Sequence, residues 1–167
     1  IRPLAEEAVL RTKNNCIGVV GTRSTILSET YIEELTALRP DVRVVQKACP
    51  LLVPLVEEQW HTKPEARKIL KTYLAPLKSQ NPDVLILGCT HYPILMEQIR
   101  KYVPDSVNII AQGEVVAAKL VDYLKRHPEM ADKCSKKGIT MYYTTENPRS
   151  FEEKASLFLD EEIVADK

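Results

Sequence analysis

Apolar and polar positions along this chain follow two alternating periods. Short unbroken apolar runs, bounded by Gly, Pro or polar clusters, read as strands buried on both faces. Residues 16–20 form such a run and end at Gly21; residues 42–45, 84–87 and 107–110 give further strands. Between them the spacing becomes helical. Residues 3–11 predict a short helix, and 24–38 a longer one with Leu27, Tyr31, Leu35 and Leu38 on one face, stopped by Arg39-Pro40. Further helices are predicted over 51–59, 94–102 and 114–126, the last with Val116, Leu120, Val121 and Leu124 facing inward. Residues 63–75 carry Ala66, Ile69, Leu70, Tyr73 and Leu74 at amphipathic spacing, and Pro76 is expected to kink or end that helix. A polar connection over 127–137 leads to an edge strand at 139–145 and a closing helix at 150–159 capped by Ser150. Repeated β-α units predict an α/β fold, a mostly parallel sheet flanked by helices.

Composition narrows the function classes. Lys plus Arg and Asp plus Glu number 23 each, so there is no electrostatic footprint for nucleic acid. No apolar run approaches the roughly 18–20 residues of a membrane span, and the expected setting is cytoplasmic. The four cysteines, Cys16, Cys49, Cys89 and Cys134, are widely spaced and form no C-x-x-C pair, which speaks against a zinc ribbon or a disulfide scaffold. They are read as free thiols.

Ligands in open parallel sheets bind beyond the carboxyl ends of the strands, and three segments there carry chemistry. Gly21-Thr22-Arg23-Ser24-Thr25 follows the first strand, and its hydroxyls and helix-start amides suit a carboxylate or phosphate. Its plain alternative is a helix cap supplied by Ser24 or Thr25. The segment 52–58 ends in Glu57-Glu58, a proton donor, acceptor or orienting group if it reaches a site, and otherwise a solvated helix face. Cys89-Thr90-His91 follows the strand at 84–87. A thiol at a strand-to-helix turn feels the positive end of a helix dipole, and a nearby imidazolium favours the thiolate. The alternative is a buried structural cysteine beside a capping threonine. A zinc site is incomplete here, because His61 and His127 belong to polar segments.

Several motifs in this chain resemble those of bacterial glutamate racemases, in the cofactor-independent aspartate/glutamate racemase group. LGCTHYPIL at 87–95 resembles the second cysteine motif of that group. IGVVGTRSTILSETY at 17–31, ACPLLVPLVEE at 48–58, QGEVVAAKLVDYLKRHPEM at 112–130 and YYTTENPRSFEEKASLFL at 142–159 follow in the group's order. The resemblance implies interconversion of L-glutamate and D-glutamate by proton transfer at the α-carbon, supplying D-glutamate for peptidoglycan, with no cofactor and no metal. Two cysteines then act on opposite faces of the substrate. Cys89 matches the second, the one acting on L-glutamate, and His91 matches the histidine assisting it. Thr90 and His91 fall at a substrate-contact pair, Glu57 matches an acidic residue near the site, and Thr22 and Thr25 lie in a threonine-rich loop lining the cleft.

The resemblance further implies a two-domain racemase-like fold. Residues 1–111 would be the whole second α/β domain, and 112–167 the C-terminal segment that completes the first. The expected partner is glutamate, with neither nucleic acid nor membrane, and a homodimer is an allowed assembly. Family members begin with an Asp-Ser-Gly loop and carry their first cysteine in a Cys-Asn-Thr segment. Neither occurs here. The chain therefore reads as lacking roughly the N-terminal third of a racemase, with apolar surface exposed from Gln112 onward, and is expected to be inactive alone. Two other classes remain: a thiol-nucleophile hydrolase or transferase using Cys89 with His91, and a non-catalytic glutamate-binding module.

Overall fold

The computed structural model describes residues 1–159 and 161–167, apart from the side chain of Leu157. Two compact units emerge, 1–123 and 124–167.

In the first unit, four strands form one parallel sheet: β1 (Cys16–Gly21), β2 (Arg43–Ala48), β3 (Val84–Leu87) and β4 (Asn108–Ile110), in the order β2-β1-β3-β4. Every residue of β1 and β3 is buried, as continuous apolar runs covered on both faces require. One face is covered by α1 (Arg2–Arg11) and α3 (Thr30–Leu38). Leu4, Ala5, Ala8, Tyr31 and Leu35 pack there against Ile17, Val19, Val84 and Ile86. Leu85 points to the opposite face, toward Leu74 and Leu77 of α5 (Pro64–Ser79). The crossover after β1 thus lies on one face and the crossover after β2 on the other. Between β1 and β3 the direction of winding reverses, and that switch point opens a crevice beyond the strand ends.

Several elements differ from the pattern in the sequence. The helix expected over 24–38 is two: α2 (Arg23–Leu27), then α3. Glu29 adopts a left-handed conformation (φ 53°), while Ser28 Oγ donates to the Thr25 carbonyl and so competes with helix continuation. Leu27 consequently points to solvent, 81% exposed, rather than inward. By contrast α5 runs through Pro76. The proline lies in the last turn and is exposed, the missing N–H costs one bond, and buried Leu74 and Leu77 hold the helix on either side. The helix expected at 94–102 is a 3-10 turn, Tyr92–Leu95, followed by α6 (Met96–Arg100).

The short α4 (Leu52–Glu57) follows β2, and α7 (Gln112–Arg126) runs from the first unit into the second. In the first unit α7 docks by its opening turns: Val115 packs on the core and Lys119 Nζ lies 2.9 Å from Glu6 Oε2. This rotation leaves Val116, Leu120 and Val121 exposed, where the sequence pattern placed them inward.

The second unit contains α8 (Pro128–Ala131), β5 (Tyr142–Tyr143), α9 (Pro148–Leu159) and β6 (Ala165–Asp166). The strand expected over 139–145 contracts to two residues paired in parallel with β6, and Ile139 and Met141 are exposed. Glu152 and Ser156 of α9 accept the backbone N–H groups of Ala165 and Ile163, which ties β6 to that helix. Asn147 Oδ1, rather than Ser150, caps α9 by accepting the Arg149 N–H at 3.0 Å. No helix among the described residues is long and apolar enough to cross a membrane.

Candidate active site

Gly21 and Gly88 lie at the carboxyl ends of β1 and β3, side by side at the switch point. Both have to be small. A Cβ on Gly21 would lie 2.9 Å from the Thr25 methyl, and one on Gly88 would lie 3.0 Å from the Val20 carbonyl oxygen and 3.1 Å from the Tyr31 ring. The threonine loop is thereby seated against the turn that carries Cys89. Within the loop, Thr22 caps α2 by accepting the Thr25 N–H at 3.2 Å, and the two hydroxyls lie 2.9 Å apart. The cap is therefore Thr22 rather than Ser24 or Thr25. Each hydroxyl still has hydrogen-bonding capacity to spare.

Cys89 is half-buried just past β3, with Thr90 exposed and His91 half-buried. The Cys89 sulfur lies 3.9 Å from His91 Nδ1, and His91 Nε2 lies 3.4 Å from Glu57 Oε1 at the end of α4. Thiol, imidazole and carboxylate thus form a chain running from the end of β3 to the helix after β2. Such a chain can hold or move a proton: the carboxylate favours a proton on Nε2, which leaves Nδ1 facing sulfur. Thr90 opens onto a concavity of about 790 Å³ lined by Pro93, Met96, Ile109, Gln112 and Val116, among others.

Burial raises the Cys89 thiol above its ordinary range, and the backbone N–H groups of His91 and Tyr92 oppose that rise. The net direction is upward. A strand-to-helix turn suggests a dipole-lowered thiol, but the element that follows is a four-residue 3-10 turn, too short for a helix dipole, and desolvation wins. Burial thus favours the neutral thiol and makes the thiolate, once formed, a stronger base.

The other cysteines are placed differently. Cys16 is the first residue of β1, at the opposite end of the sheet from the Cys89 turn. Cys134 is exposed in the second unit. Cys49 is fully buried, and that burial pushes its thiol up to about 12. Because Cys49 ionises near its ordinary value of 9.0 when unfolded, its contribution to stability is complete below that pH and is lost as pH rises toward 12. Urea titrations between pH 8 and 11 should show a fall in unfolding free energy that Cys49→Ala reduces; an identical slope in that variant would contradict this.

Sequence reasoning passed over two tyrosines at this site. Tyr92 is fully buried and its hydroxyl donates to the Cys49 carbonyl at 3.0 Å. Tyr31 is equally buried, with a hydroxyl that makes no hydrogen bond of good geometry; the Gln112 side chain approaches it and only partly offsets the upward effect of burial. A tyrosine at an apolar helix position and another directly after a reactive turn were the available signals. Among the described residues no cluster of three or more His, Cys, Asp or Glu side chains could hold a metal ion.

The family profile described as Asp/Glu/Hydantoin racemase matches residues 2–120. A glutamate racemase of Geobacter metallireducens is 35% identical over 159 residues, spanning 95% of this chain and 58% of the relative. One from Shouchella clausii is 38% identical over 160 residues, 96% of this chain and 57% of the relative. A crystal structure of a glutamate racemase isoform from Bacillus anthracis superposes with a TM-score of 0.90 at 36% identity, covering 99% of this chain and 62% of that one. A glutamate racemase from Francisella tularensis, solved with D-glutamate, gives 0.80 at 29% identity, covering 98% and 60%. The chain spans a little under three fifths of the length of the curated relatives just described. With most of its length matched by that profile and an α/β architecture shared with those structures, this chain belongs to the Asp/Glu/Hydantoin racemase family.

Proposed function

We propose that this chain supplies one face of a glutamate racemase active site, with Cys89 as the group that exchanges a proton with the substrate α-carbon. The observation that carries this reading is the Cys89-His91-Glu57 chain at the switch point, a thiol with a proton relay behind it. In one direction the Cys89 thiolate removes the α-hydrogen of L-glutamate and becomes a thiol, leaving the electron pair on an enolate-like carbanion. A second thiol protonates the opposite face and becomes a thiolate. The two sulfurs end with their protonation states exchanged. The raised Cys89 thiol suits this work, since a thiolate that is harder to form is a stronger base toward a weak carbon acid. Thr22, Thr25 and Thr90 offer hydroxyls to the substrate carboxylates, and Glu57 orients His91.

The reading assigns residues 1–111 to the second domain of the racemase and 112–167 to the return into the first. It makes the product D-glutamate for peptidoglycan and the setting cytoplasmic. Of the other thiols, Cys16 opens β1 at the opposite end of the sheet, Cys134 is exposed in the second unit, and Cys49, although it directly follows β2, is fully buried with its thiol pushed up to about 12, so the second acid/base group is not among them. The test is optical rotation of L-glutamate and of D-glutamate incubated with the 167-residue chain, and with a longer polypeptide that adds a second thiol. Interconversion is expected from the longer polypeptide alone. Turnover by the 167-residue chain, with host racemase excluded, would refute the two-thiol mechanism.

A further inference from the structure

We infer that the two buried tyrosines, Tyr31 and Tyr92, are positioning residues for Cys89, Tyr31 acting through its ring and Tyr92 through its hydroxyl. The inference deepens the racemase reading, and rests on Cys89 being its acid/base group. The turn from Gly88 to Tyr92 lacks a regular helix to hold it, since a 3-10 turn of four residues follows. What holds it lies on either side of the thiol.

On the near side, the Gly88 N–H donates to the Val20 carbonyl at 2.8 Å. The Tyr31 ring closes over the same residue, 3.1 Å from where a Gly88 Cβ would stand. Gly88 is therefore held between the backbone of β1 and a fully buried ring, which fixes the direction in which the chain enters Cys89. The Tyr31 hydroxyl takes no part in this ring contact and makes no hydrogen bond of good geometry, only the Gln112 side chain approaching it. On the far side, the Tyr92 hydroxyl donates to the Cys49 carbonyl, and the Cys49 N–H donates to the Gly21 carbonyl at 2.8 Å. This bond ties the Cys89 turn to the segment after β2 and, through it, to the end of β1. With both ends fixed, the turn keeps its shape, in which the Tyr92 N–H donates to the Cys89 carbonyl at 3.2 Å and the nearby His91 and Tyr92 amides offset part of the effect of burial on the thiol.

The two tyrosines thus make opposite predictions for the same substitution. The test is the pH profile of iodoacetamide alkylation of Cys89 in the 167-residue chain, in a Cys134→Ser background that removes the exposed thiol; buried Cys16 and Cys49 stay silent. Tyr92→Phe should raise the midpoint of the profile and slow alkylation below it by about threefold, the change in thiolate fraction produced by a half-unit shift. Tyr31→Phe should leave the profile unchanged. Tyr31→Leu should shift it as Tyr92→Phe does, so that phenylalanine at position 31 counts as rescue. A Tyr92→Phe profile superimposable on the parent, or a Tyr31→Phe shift as large as that of Tyr31→Leu, would overturn the assignment. Should Tyr31→Leu fail to fold by circular dichroism, the two phenylalanine variants decide alone. The assay contains no glutamate, so failure of the racemase reading shows up separately, as absent α-hydrogen exchange.

Discussion

Replacing Cys89 by alanine should lower the interconversion of glutamate enantiomers by about 10²–10⁴-fold or more, the loss expected when a positioned acid/base group is removed. The polypeptide to test is the longer one proposed to supply a second thiol. Neither Cys16 nor Cys49 can substitute: the first lies at the opposite end of β1, and the second is fully buried with its thiol pushed up to about 12. Nor can His91 take over, since its Nδ1 is 3.9 Å behind the sulfur and its Nε2 faces Glu57. Initial rates from polarimetry at saturating glutamate check this. A Cys89→Ala variant within tenfold of the parent would contradict the role of Cys89. His91→Asn should cost less, because it removes the relay and leaves the thiol and the two amides that favour its thiolate.

Truncating Ile86 to alanine should destabilise the first unit by about 2–5 kcal/mol, the cost of a buried large-to-small change. Ile86 is fully buried at the centre of β3, in register with Val19 on one side and Ile110 on the other, two residues before Gly88. Its side chain belongs to the cluster beneath α1 and α3, and the closely packed sheet cannot collapse around the lost atoms. For a unit of this size the melting temperature should fall by roughly 10 °C, measured by far-ultraviolet circular dichroism. The exposed Leu27, cut in the same way, should change it little. Equal losses at both positions would mean that the core is not where the sheet places it.

The parallel sheet was legible because its two central strands, β1 and β3, are unbroken apolar runs; the edge strands β2 (RVVQKA) and β4 (NII) carry polar residues, and β2 runs on to Ala48, past the short stretch at 42–45 that the sequence pattern marked. The strand order was not legible, since strand neighbours depend on which face each crossover takes. Helix continuity was harder to read. The apolar spacing of Leu27, Tyr31 and Leu35 fits one helix, yet the hydroxyl of Ser28 and the left-handed Glu29 divide it. Pro76 misleads in the opposite direction, because packing at Leu74 and Leu77 outweighs one lost hydrogen bond. In α7 the period was right and the buried face was not: Val115 packs while Val116 and Leu120 face solvent.

At the site, Cys89 and His91 stood out by residue type and position and Gly88 by its place before the turn, whereas Glu57 read as a solvated helix face and entered the site only through the family resemblance. The direction of the Cys89 shift was not legible. It depends on the competition between desolvation and two amides, which only the fold of the turn decides. The bearing of Tyr31 and Tyr92 on the site escaped notice for a related reason. In sequence they are apolar positions, and their contribution lies in what each touches across the strand ends.

The central claim, that Cys89 transfers a proton and forms no bond to carbon, is tested most directly by incubating L-glutamate in deuterium oxide with the polypeptide that supplies both thiols. Proton magnetic resonance of the substrate and the intact mass of the protein are followed together. The account predicts deuterium at the α-carbon in step with racemisation, loss of that label in the Cys89→Ala variant, and an unchanged protein mass. A glutamyl adduct on Cys89, or racemisation without α-deuterium, would contradict it.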